Sequence, residues 1–146
     1  MKLTVQVADS AQVDPSGKVH ALGLGWNATI TPTPPMALVL FFELELGESP
    51  QSKYRLSGKL VDADGKQQLT PNEKPVQFAV EMTSNLSEET TAHVVSEKDP
   101  PDRIPAVIPI PQGLQLKPGR YDWIIAIEEP EAVARVTFMI IAGVDA

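Results

Sequence analysis

The segment Leu116-Lys117-Pro118-Gly119-Arg120-Tyr121-Asp122-Trp123-Ile124-Ile125-Ala126-Ile127 constrains the fold of this chain more than any other. Its Pro-Gly pair presets a tight turn, because Pro fixes φ and Gly accepts positive φ without steric penalty. Large apolar residues then recur with a period of two, which puts them on one face of an extended strand and requires that face to be buried. Turn-then-strand punctuation of this kind predicts a β-sandwich, an architecture that carries scaffolds and binding surfaces more often than catalytic centres.

The same grammar repeats along the chain. Leu3, Val5 and Val7 alternate with Lys2, Thr4 and Gln6, and Asp14-Pro15-Ser16-Gly17 follows as a turn. A second strand is expected from Lys18 to Leu24, with Gly23 and Gly25 marking a bulge or a close backbone approach and Trp26 to Ile30 continuing it. Thr31-Pro32-Thr33-Pro34-Pro35 reads as a stiff crossing loop, since prolines donate no ladder hydrogen bonds.

The strongest strand spans 36–46. Leu38, Leu40, Phe42, Leu44 and Leu46 share one face, and the other begins apolar at Ala37, Val39 and Phe41 but ends acidic at Glu43 and Glu45, as in a half-covered face. Tyr54, Leu56, Gly58 and Leu60 make the next inward row, and Asp62-Ala63-Asp64-Gly65 is a hairpin-turn signal. Val76, Phe78, Val80 and Met82 make a further inward row. Residues 84–103 are polar and acidic without a period and read as a long exposed loop. The 106–111 run is apolar but broken by Pro109 and Pro111, which fits an edge strand that resists sheet extension. A last strand covers 132–142. These elements predict one all-β domain over 1–146, an antiparallel sandwich of about seven to nine strands with no helix, repeat or linker.

Composition narrows the function classes. The chain has 146 residues, enough for one real core, and its 42% hydrophobic content excludes disorder. With no cysteine, disulfides, thiolate nucleophiles and Cys-ligated zinc are excluded. A net charge of −7 repels phosphate and anionic lipid, so neither nucleic acid nor membrane is an expected partner. Lys53, Arg55 and Lys59 form the only dense basic group and read as the polar face of a strand. No apolar run approaches the roughly 20 residues needed to cross a bilayer, and the opening residues lack the apolar block of a signal peptide. The expected location is cytoplasmic, or within a virion if the chain is phage-encoded.

Leu116-x-Pro118-Gly119-x-Tyr121 is similar to the tyrosine-corner segment of immunoglobulin-like and fibronectin type III sandwiches. Its spacing is closer to the Pro-Gly-x-Tyr of collagen-adhesin B-type and prealbumin-like modules. The resemblance implies an immunoglobulin-like fold, with the Tyr hydroxyl bonded to nearby backbone and its ring in the core. Across its length the chain also resembles a family of small bacterial and bacteriophage proteins of unknown function. Ala8-Asp9-x-Ala11-Gln12-Val13-Asp14-x-x-Gly17-Lys18, Leu22-Gly23-x-Gly25-Trp26 and Pro118-Gly119-Arg120-Tyr121-x-Trp123 carry that likeness. It implies a range of hosts and no activity.

No constellation of residues specifies chemistry. His20 and His93 are the only histidines and lack metal-ligand spacing; His20 reads as a structural strand residue and His93 as a loop residue beside Glu88, Glu89 and Glu97. Asp62-x-Asp64-Gly65 has the start of a calcium loop, but Lys66 stands at the third ligand position and no Glu closes it, so it reads as a turn. Asp9, Asp14 and the 84–103 loop are further oxygen donors without a fixed common position. Glu43/Glu45 and Glu128/Glu129 have no acid–base context, and no nucleophile elbow or phosphate loop occurs. Asn27-Ala28-Thr29 and Asn85-Leu86-Ser87 match glycosylation sequons only by chance if the chain is not exported. Trp26, Tyr54, Tyr121 and Trp123 fall where core packing explains them.

The expected function is that of a non-enzymatic module working through protein contacts, with no cofactor, metal or catalytic residue. It would act by self-association or as an accessory on a larger assembly such as a phage particle. The contact elements would be loop 31–35, loop 84–103 and the face around Val39 and Phe41. The alternative is a sandwich that binds a small ligand or carbohydrate.

Overall fold

A computed structural model of the chain describes residues 1–48, 51–83, 103–111 and 113–142. Among them every regular element is a strand: β1 (Lys2–Ala8), β2 (Ser10–Val13), β3 (Val19–Leu22), β4 (Ala28–Thr29), β5 (Met36–Glu43), β6 (Lys53–Asp62), β7 (Gln77–Thr83), β8 (Arg103–Ile110), β9 (Gly119–Ile127) and β10 (Ala132–Ile140). They form a three-stranded sheet β1-β5-β8, a five-stranded sheet β4-β10-β9-β6-β7 and a β2-β3 ribbon. The all-β reading holds, and the count reaches ten because two-residue β4 and the ribbon are strands in their own right. One pairing is not antiparallel: β4 runs parallel to β10.

Alternation decides which side chains meet. Antiparallel register sets Val5 opposite Leu40 and Val7 opposite Leu38, and sets Ala106 and Ile108 of β8 opposite the same two residues. That row faces Tyr54, Leu56 and Leu60 of β6, Tyr121, Trp123, Ile125 and Ile127 of β9, and Phe138 and Ile140 of β10 across one core. The aromatic rings interlock: Phe42 lies 5.7 Å from Tyr54, Phe78 lies 6.0 Å from Trp123, and Tyr121 stacks on Phe138. β9 is central in its sheet, as its uninterrupted apolar row requires.

Several expectations shift. Gly23 and Gly25 do not mark a bulge in a strand that continues through Trp26. Both have positive φ and turn the chain out of the ribbon, so that β4 joins the opposite sheet. At Gly23 a Cβ would meet the Asp9 carboxylate at 2.3 Å, so the close approach is real. Thr31–Pro35 does cross between sheets, but it is stitched down: Thr33 Oγ1 accepts the Leu114 N–H at 2.8 Å, and Thr31 Oγ1 accepts that of Leu116 at 3.2 Å. Val80 is 36% exposed because β7 is an edge strand with little of the other sheet opposite it, so the inward row expected there is only partly buried. Of the expected 84–103 loop, Arg103 is the first residue of β8, and residues 84–102 lie outside the described residues, His93 and Asn85 among them.

β8 is the edge strand expected from its prolines. Pro105 and Pro109 share one parity, so their missing N–H groups fall on one side of the strand. A strand laddered to β5 along its length keeps that side outward.

Candidate functional site

The two sheets differ on their outer sides. The β2-β3 ribbon packs against β5 and β8, and the outer-face residues Ala8, Ala37 and Val39 are buried. Of the face expected as a contact surface, Val39 is therefore buried within the chain, whereas Phe41 is half-buried with the Arg103 guanidinium 6.0 Å from its ring. Alternation shows that such a face is covered; it does not show by what.

The outer face of the five-stranded sheet has no described element over it. Register aligns Ala79 of β7, Ser57 of β6, Ala126 of β9 and Val133 of β10 in one row across the strands. Three of these side chains are small, so the row sinks below its neighbours. Two adjoining hollows of about 430 and 500 Å³ lie over it, one walled by Arg55, Glu81 and Glu128, the other by Lys59, Gln77 and Ile124. Val133 stands at the far end, 61% exposed.

Charge on this face is segregated along the strands. At one end Lys53 lies 3.4 Å and Arg55 4.0 Å from Glu81, with Glu128 and Glu129 beside them. At the other end Asp122 is 3% exposed although it sits on the outer side. It accepts hydrogen bonds from Arg135 Nη1 at 2.8 Å and Thr137 Oγ1 at 2.6 Å, and Arg120 Nε lies 3.7 Å away. A carboxylate so enclosed needs such partners. Lys59 lies level with Arg135, one strand apart across Ile124. The surface thus runs from an end of mixed, paired charge through a small, mostly apolar middle to an end where Lys59, Arg120 and Arg135 outnumber Asp122.

The profile of one protein family, described as a family of unknown function (DUF6941), matches residues 3–141. The chain belongs to DUF6941. The match takes in both sheets and the ribbon, so the sandwich as a whole is the DUF6941 unit. A search of curated proteins finds no match to the chain.

Most candidate residues picked out in the sequence serve the DUF6941 fold. His20 Nε2 lies 2.7 Å from Asp14 Oδ2 on the surface of the ribbon. Asp14 also accepts bonds from the Ser16 hydroxyl and from the Ser16 and Lys18 N–H groups, and this set, led by the Ser16 hydroxyl, holds its carboxyl well below the usual range. Asp62 Oδ1 accepts the N–H groups of Asp64 and Lys66, both at 2.9 Å, so the calcium-like turn closes on its own backbone. No group of three or more His, Asp or Glu suited to a metal occurs among the described residues. Glu43 pairs with Arg103, and Glu45 lies 3.6 Å from the amino group of Met1. Tyr54, Tyr121 and Trp123 are core residues, and Trp26 packs edge-on against Phe138 at 5.7 Å.

The Arg120–Asp122–Arg135–Thr137 cluster escaped the sequence reading. Its only signal is the β9-β10 hairpin register, which pairs Asp122 with Thr137.

Proposed function

We propose that this chain is a non-enzymatic protein-contact module whose working surface is the outer face of its five-stranded sheet. The observation that carries the reading is the asymmetry between the sheets: the ribbon packs on one, whereas among the described residues no element lies over the other, and a shallow hollow runs along Ser57, Ala79 and Ala126. A small, mostly apolar floor with a charged rim is the anatomy of a protein interface, whereas a small-ligand site is enclosed. Its aromatic residues are taken up in packing, which argues against a sugar platform. Loop 31–35 serves the fold first, through its bonds to Leu114 and Leu116. A repeating assembly, including a bacteriophage particle, is a setting that suits such a module, and no helix of the described residues is long and apolar enough to cross a membrane.

Photo-crosslinking tests the reading. A photoreactive side chain at Ala126 in the cell that makes the protein is expected to give a discrete protein adduct, while the same group at exposed Gln12 of the ribbon gives none. Equal labelling at both positions, or none at Ala126, would overturn it.

A further inference from the structure

The margins of the two sheets are not alike. β8 carries Pro105 and Pro109, β4 is two residues long, and the outer edge of β1 is met by the Gly25 N–H, which bonds the Val7 carbonyl oxygen at 2.7 Å. β7 has none of these guards: Gln77–Thr83 runs for seven residues without proline and with one charge, Glu81. Edges that stay unpaired are blunted, and an unblunted one is a template for another strand.

Register shows which groups of β7 are free. The Leu60 N–H bonds the Val76 carbonyl oxygen at 3.1 Å, and the ladder continues with Gly58 opposite Phe78, Leu56 opposite Val80 and Tyr54 opposite Met82. In an antiparallel pair, residues that exchange hydrogen bonds alternate with residues that do not. The N–H and C=O groups of Phe78, Val80 and Met82 are therefore spent on β6, and those of Gln77, Ala79, Glu81 and Thr83 point away from the sheet. No described backbone group meets them.

We propose that two copies of the chain join edge to edge through β7, antiparallel about a two-fold axis that stands perpendicular to the sheet at Val80. The inference goes beyond the contact reading above and does not rest on it. Val80 then lies opposite Val80 of the second copy, Phe78 opposite its Met82, Gln77 opposite its Thr83 and Ala79 opposite its Glu81, so no charge directly faces a like charge. The two Glu81 side chains fall on a diagonal, each already beside Lys53 and Arg55 of its own copy. The free groups at 77, 79, 81 and 83 satisfy one another with about eight main-chain hydrogen bonds, two for each pair. The row at 78, 80 and 82 takes the closer, non-bonded positions, which covers side chains left only partly buried, Val80 at 36% exposure among them. Moving the axis to Glu81 sets Glu81 against Glu81, and moving it to Ala79 leaves Met82 and Thr83 unpaired. Any extended strand satisfies the bonds; the palindromic order of side chains selects a second copy. Such a pair consumes its own edge and closes.

Sedimentation of the full chain over a concentration series tests the proposal. The contact is narrower than a standard interface, so the expected dimer has micromolar affinity. Ala79→Pro removes a donor on the free side and none toward β6, so it should weaken association about tenfold or more while the melting transition changes little. The chain has no cysteine, and a non-bonded pair holds its Cα atoms about 4.5 Å apart, within disulfide reach. Val80→Cys should therefore give a covalent dimer in oxidised glutathione, much faster than Gln12→Cys on the ribbon. A monomer up to roughly 500 µM, a dimer indifferent to Ala79→Pro, or equal crosslinking by the two cysteine variants would overturn the proposal. So would a strict monomer whose Ala79 and Glu81 N–H groups resist hydrogen exchange, since the chain itself would then fill the edge. Ala126 lies on β9, two strands away, so its photo-adduct reports on the outer face whatever the outcome at β7.

Discussion

Tyr121 Oη donates a 2.7 Å hydrogen bond to the carbonyl oxygen of Lys117, so the residue that opens the apolar row of β9 also ties down the turn that launches it. Burial, with the nearby Asp62 carboxylate as a smaller cause, raises the phenol pKa above its ordinary value and keeps the hydroxyl a donor. Tyr121→Phe is expected to cost about 1 kcal/mol, the net worth of one hydrogen bond. Tyr121→Ala should cost about 3–5 kcal/mol, because it also empties a core position against Phe138. Urea unfolding of the two variants checks the ratio, and equal losses would show that the ring contributes nothing beyond its hydroxyl.

Asp122 and its arginines should respond unequally to truncation. Asp122→Ala removes the shared acceptor of Arg135 and Thr137 and is expected to cost roughly 1–3 kcal/mol, less than a fully buried pair because both guanidiniums remain in water. Arg135→Ala should cost under about 1 kcal/mol, since its side chain is 57% exposed and Thr137 still satisfies the carboxylate. Denaturation midpoints in the opposite order would refute this account.

Gly58 is where an added methyl should be felt most within β6. A Cβ there would meet the Phe78 ring at 2.3 Å and Ile125 Cδ1 at 2.9 Å, so the ring must leave its place over the strand. Gly58→Ala is expected to destabilise by about 1–3 kcal/mol, the usual cost of overpacking. Adding Phe78→Leu should return part of it. Thermal melts of the single and double variants supply the test, and a double variant no better than additive would rule out the steric cause.

The ribbon turn should keep its shape in acid longer than an ordinary Asp turn. Asp14 binds its proton less readily folded than unfolded, so its contribution to stability is complete above about pH 4, the unfolded value, and is lost only as pH falls through the lowered folded value. The carboxyl resonance of Asp14, followed by NMR during acid titration, should move at lower pH than those of the exposed carboxylates. Ser16→Ala, which removes the largest cause, should bring it back toward them. A titration near pH 4 in the unmodified chain would contradict the geometry.

Period-two alternation made the strands legible, since it is a local property that burial of one face enforces. Leu38, Tyr54, Trp123 and Phe138 were readable as core for that reason, and so was the edge character of the proline-bearing β8. What covers each sheet was not readable. Gly23 and Gly25 signal a special backbone, but only tertiary contacts decide that the chain leaves for the opposite sheet there instead of continuing. The candidate surface was half visible: Lys53, Arg55 and Lys59 stood out on one strand, whereas Arg120, Asp122 and Arg135 join that face only through the order β10-β9-β6. Charge segregation across strands is a product of register, and a single strand carries no trace of it.

The two prolines of β8 also limit how far any assembly of this chain can grow. A sheet whose outermost strand offers no N–H at positions 105 and 109 makes a poor template for another strand, so growth from that margin stops at the first copy. An apolar strand such as β8 would otherwise invite edge-to-edge pairing, so the prolines let it keep a core-facing row of large side chains without turning that margin into a seed for fibres.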